Sequence, residues 1–103
     1  MTTDRELLEM AAKAARYQYA KHGGYIVVDG IPGNWNPLTD DGDALRLAVK
    51  LKLKVYQGDL VAIVHPRMSH AYIAEEYERN GDHYAATRRA IVRAAAEIGK
   101  GMQ

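Results

Sequence analysis

Cysteine and phenylalanine are both missing from this chain, and tryptophan and serine occur once each. Without cysteine there are no disulfides and no thiolate metal sites, so the fold must close on noncovalent contacts. Without phenylalanine, the 48% apolar content rests on alanine, tyrosine and a limited set of leucine, isoleucine and valine. A core of that make-up needs close helix approach and a few large anchors, Trp35 first among them. Neither sign of charge predominates: 14 basic against 13 acidic residues leave a net +1, which argues against nonspecific nucleic-acid binding. The longest strongly apolar run, Leu60 to Val64, is far too short to span a bilayer. The opening residues are charged and carry no signal-like apolar run. These absences predict one soluble domain over residues 1–103 in a reducing compartment, the cytoplasm. At 103 residues such a chain can bury roughly 65% of its unfolded surface without staples.

What is present reads as alternating helix and strand. Thr3 with Glu6 forms a capping-box signature, and Leu7, Met10, Ala11, Ala14 and Tyr17 follow at helical spacing. Lys21, His22 and Gly23-Gly24 are expected to end that helix. Tyr25 to Val28 is a short β-branched strand, Asp29-Gly30 a turn, and Ile31-Pro32-Gly33-Asn34 a loop. The stretch from Trp35 to Leu51 joins the tryptophan, a proline turn, an acidic helix start and an amphipathic helix. It reads as the anchor of the core. Thr39 or Asp40 caps this second helix, whose inward face is Ala44, Leu47, Ala48 and Leu51 with Leu45 beside them. The period changes from helix to strand near Lys52. Gly58-Asp59 turns a hairpin back through Leu60 to Val64; residues 69–77 read either as a third strand or as a helical turn with several glutamates, the strand being favoured because the hairpin needs a third partner. Asp82 caps a last helix that is expected to stop at about Ile98, before Gly99, with Tyr84, Thr87, Ile91, Ala94, Ala95 and Ile98 inward. The fold class is therefore α+β: a small, mostly antiparallel sheet with three helices packed on it.

Two blocks in this order, Trp35 to Leu51 and Tyr84 to Gly99, resemble small phage and prophage proteins grouped as the phage ABA sandwich domain family. The opening Asp4 to Ala15 is also similar, so the resemblance covers nearly half the chain. Lys52 departs from it, standing where a glycine often ends the second helix. The resemblance implies an α-β-α layered sandwich and an accessory role in a bacterial host. It implies no reaction, no cofactor and no catalytic residues.

Several residues are candidates for chemistry. Asp40, Asp41 and Asp43 lack the alternating ligands of a calcium loop, and capping explains them. His65, His70 and His83 form no zinc motif. Ser69 has no nucleophile elbow, and the glycines match no phosphate loop. No catalytic, metal or cofactor residues are assigned. The candidate interaction residues are Trp35, as a core plug or a partner hot spot, and Arg88, Arg89 and Arg93, as a solvated helix face or a basic surface. The expected function is binding to a host or phage protein. The alternative is a nucleic-acid-binding module using the last helix and Lys50 to Lys54. A homodimer through the edge formed by Tyr25 to Val28 is a further expectation.

Overall fold

The computed structural model of the chain describes residues 2–19, 26–28, 31–66 and 72–102. Its elements are α1 (Asp4–Ala14), β1 (Gln18–Tyr19), β2 (Ile26–Val28), β3 (Ile31–Gly33), α2 (Asp41–Leu51), β4 (Lys54–Gln57), β5 (Val61–His65), β6 (Ile73–Glu76), α3 (Tyr77–Asn80) and α4 (His83–Lys100). Strands β1–β3 form one antiparallel sheet and β4–β6 another, each in sequence order. Helix α4 lies against the second sheet, and α1 and α2 pack on α4. This is an α+β fold. It has one more helix than expected, the single turn α3.

The middle of the molecule is α4, not the tryptophan segment. Ala86, Ala90, Ile91, Val92, Ala94, Ala95, Ala96 and Gly99 are all buried, a set too wide for one amphipathic stripe, because α4 has neighbours on several sides. Tyr84, expected to point inward, is 68% exposed. The stretch from Trp35 to Leu51 still supplies Pro37 and Leu47, two of the largest fully buried side chains among the described residues. In β5, buried Ala62 and Val64 alternate with half-exposed neighbours, the period of a strand with one face against α4.

Helix α4 does not stop before Gly99; it runs through to Lys100. A Cβ added at Gly99 would overlap the carbonyl oxygen of Met10 and come within 2.8 Å of its carbonyl carbon. This glycine is therefore not a helix terminator. It lets α1 and α4 cross backbone to backbone, with Ala11 and Ala95 also fully buried.

Helix starts fall where local signals put them. Thr3 accepts from the Glu6 N–H at 3.1 Å while Glu6 reaches back to the Thr3 N–H at 3.2 Å. The hydrogen bonds from the Thr3 backbone and hydroxyl hold the Glu6 carboxyl below its ordinary pKa. Asp40 caps α2 through the Asp43 N–H, and Asp82 caps α4 through the Ala85 N–H.

The end of α1 differs from expectation, whereas α2 ends near Lys52 as expected. α1 ends at Ala14, well before Lys21. The Tyr17 N–H bonds the Ala12 carbonyl, the Arg16 N–H bonds that of Lys13, and Arg16 is left-handed with φ 62°. α2 ends in the same way: the Leu53 N–H bonds the Ala48 carbonyl, the Lys52 N–H bonds that of Val49, and Lys52 has φ 55°. Both are Schellman closures, and in each the following residue, Tyr17 or Leu53, packs on the core. The gain from that packing offsets the steric cost of a left-handed non-glycine residue, about 1–2 kcal/mol. Lys21, His22, Gly23 and Gly24 lie outside the described residues, as do Tyr25, Asp29 and Gly30. Ile31–Gly33, expected as a loop, is strand β3, with Val28 paired to Ile31 and Val27 to Pro32. Pro32 is tolerated because β3 is an edge strand.

Two substitutions test this account. Gly99→Ala improves helix propensity by ~1 kcal/mol, yet the crossing at Met10 predicts a net loss of about 1–3 kcal/mol; urea unfolding gives the sign. Lys52→Gly relieves the left-handed cap and should stabilise by ~0.5–1 kcal/mol, read in the same assay as a higher midpoint at unchanged slope.

Candidate functional site

The loop before α2 is built on Asn36. Its carbonyl accepts from the N–H groups of Thr39 and Asp40, its side-chain oxygen accepts from the Leu38 N–H, and its own N–H donates to Asp43. This turn places Trp35 half-buried against the core, its ring edge-to-face with Tyr17 at 5.6 Å between centroids. Lys50 Nζ lies over the other ring of the pair, 4.5 Å from the centroid of Tyr17. Trp35 thus packs as a plug at the rim of the core. Among the described residues its indole N–H meets no hydrogen-bond partner.

The three aspartates at the start of α2 have separate roles. Asp40 caps the helix. Asp41 takes the Arg88 guanidinium at 2.6 Å. Asp43 takes Arg46 at 2.7 Å besides holding Asn36. Among the described residues no group of three or more histidine or carboxylate side chains could hold a metal ion. His65 ends β5 beside Tyr72, whereas His83 begins α4 against the Tyr77 ring. Tyr77 also donates its hydroxyl to Gly58, at the hairpin end of the sheet, so the two histidines lie toward opposite ends of the sheet. His70 and Ser69 lie outside the described residues.

The arginines of α4 do not form a free basic face. Arg88 donates to Asp41 and, through Nε, to the Leu38 carbonyl at 2.8 Å. Arg89 pairs with Asp4 at the start of α1. Arg93 pairs with Glu75 of β6 and also reaches the Ala74 carbonyl at 3.4 Å. Each ties α4 to a different element, and each has its charge neutralised by a carboxylate. No single-residue pattern announces such pairs, because their partners lie 47, 85 and 18 residues away in sequence.

A surface that the sequence did not indicate is apolar. Between α2, β4 and the start of α4 runs an open groove of about 300 Å³, lined by Ala44, Leu45, Val55, Gln57, Tyr84 and Ile91 among others. Leu45 is 64% exposed, Val55 42% and Tyr84 68%. Leu45 was expected beside the inward face of α2, and Tyr84 on the inward face of α4. Both instead frame this groove. Gln57 Nε2 donates to the Thr87 hydroxyl at 2.7 Å across its end.

No helix among the described residues is long and apolar enough to cross a membrane. No family model matches the chain, and comparison with curated proteins and with solved structures likewise finds no match.

The Arg88 tie is testable. Its side chain is 19% exposed against 64% for Asp41, so the backbone contact to Leu38 should outweigh the ion pair. Arg88→Ala is expected to cost about 1–3 kcal/mol and Asp41→Asn under ~1 kcal/mol, both from denaturation midpoints. Equal costs would assign the stabilisation to the pair.

Proposed function

We propose that the chain is a phage or prophage accessory protein that acts in the bacterial cytoplasm by binding another protein, with no reaction of its own. The observation that carries this reading is the groove framed by exposed Leu45, Val55 and Tyr84. Single exposed apolar side chains are ordinary, but several around one concavity are typical of a contact surface. The acidic and basic groups of α2 and α4 are committed elsewhere: the aspartates cap and pair, and the α4 arginines tie elements together. The phage assignment rests on the resemblance of the Trp35 to Leu51 and Tyr84 to Gly99 blocks.

A nucleic-acid-binding module is the second reading. It draws on Lys52 and Lys54, which have no ion pair among the described residues, and on exposed Tyr56 between them and the hairpin turn. It is weakened because Arg88, Arg89 and Arg93 are neutralised.

Affinity purification of the tagged chain from a bacterial host, with and without nuclease, separates these readings. The expected result is a defined protein partner recovered equally in both arms. Recovery abolished by nuclease would favour the second reading. Recovery of no partner, together with turnover in a substrate panel, would overturn both.

A further inference from the structure

The two edges of the second sheet are not alike. On the β6 side, Arg93 reaches across to the outward carbonyl of Ala74, and the chain folds into α3. On the β4 side nothing comparable stands among the described residues. The Gly58 N–H bonds the Val61 carbonyl at 2.9 Å, which sets the phase of the ladder. With Tyr56 paired to Ile63 and Lys54 to His65, antiparallel alternation turns these residues inward and the N–H and C=O groups of Val55 and Gln57 outward. All four residues of β4 are exposed, and no proline interrupts the strand. Val55 and Gln57 share the sheet face of Ala62 and Val64, so their side chains open onto the groove bounded by Leu45 and Tyr84. An open edge and an apolar trough lie side by side.

The charge at this edge is also distinctive. Arg46, Arg88, Arg89 and Arg93 all have carboxylate partners. Exposed Lys52 and Lys54, where β4 begins, have none among the described residues. Edge lysines are a common device against self-pairing. An acidic strand would meet complementary charge.

We infer that β4 takes an extended segment of a partner protein as a fourth, antiparallel strand, with apolar side chains at alternate positions over Leu45, Val55 and Tyr84 and a carboxylate toward its C-terminal end beside Lys54 and Lys52. This is recognition by strand addition: outward backbone groups give affinity and the trough selects side chains. The inference rests on the reading that the protein works by binding a protein, and it names the surface and the chemistry of the occupant.

The probe is a display library of random twelve-residue peptides selected against the whole chain. The enriched sequences should alternate apolar residues and carry Asp or Glu downstream of them. A synthetic peptide from that set should shift the Val55 and Gln57 amide resonances and bind more weakly as salt rises. Val55→Pro removes an outward N–H without breaking a β4–β5 bond, and Leu45→Glu alters an exposed position on α2. Each should reduce affinity about tenfold or more while leaving the unfolding midpoint within error for Leu45→Glu. No enrichment, enrichment without acidic preference, or shifts elsewhere on the surface would overturn the inference. So would a wild-type dimer in sedimentation that Val55→Pro dissociates, which would make the occupant a second copy. A purified cellular partner whose binding survives both substitutions would remove this surface and leave the binding reading standing.

Discussion

Backbone contact between α1 and α4 is the constraint from which the rest follows. Twelve of the seventeen buried apolar residues among those described are alanines, and alanine buries little area per residue. Such a core holds only if helices approach closely enough for many small dispersion contacts to accumulate. Gly99 against Met10 sets that distance. Once α1 is seated, α4 is buried on most sides and becomes the surface on which the sheet and α2 pack.

Long polar side chains then fix the outer elements to this centre. Arg88 reaches the start of α2, Arg89 the start of α1, and Arg93 the β6 edge. Lys13 extends from α1 to the carbonyl of Met102, 2.9 Å away, beyond the end of α4. Guanidinium groups suit this use, since one planar fork can serve a carboxylate and a carbonyl together. The α4 arginines are thus engaged in holding the shape, whereas Lys52 and Lys54 have no ion pair among the described residues and stand beside the apolar trough.

The parts of the fold legible in the sequence were those fixed locally. Caps at Thr3, Asp40 and Asp82, the α2 boundary near Lys52 and the Gly58 hairpin depend on residues a few positions apart. Tertiary partners decided the rest. Arg16 carries no signal of a left-handed cap, because the motif is stabilised by where Tyr17 packs. Gly99 looks like a helix stop, and only the position of Met10 shows otherwise. Pro32 looks like a loop residue until β3 is seen to be an edge strand. The candidate residues behave likewise: Arg88, Arg89 and Arg93 are not a free solvated face, because carboxylates far away in sequence meet them. The groove escaped notice because Leu45 and Tyr84 fit an inward helical stripe equally well.

The pairing of α1 with α4 also bears on how the molecule is made. Sixty-eight residues separate Ala14 from His83, so the first helix emerges from the ribosome long before its main partner exists. Its alanine face must wait in water, and a short isolated helix is marginal there. Both second-sheet hairpins can close earlier on local contacts, but their inner face stays uncovered until α4 arrives. Assembly of this fold therefore waits for α4, and any chaperone that greets the nascent chain would meet a half-built sheet before it met a helix pair.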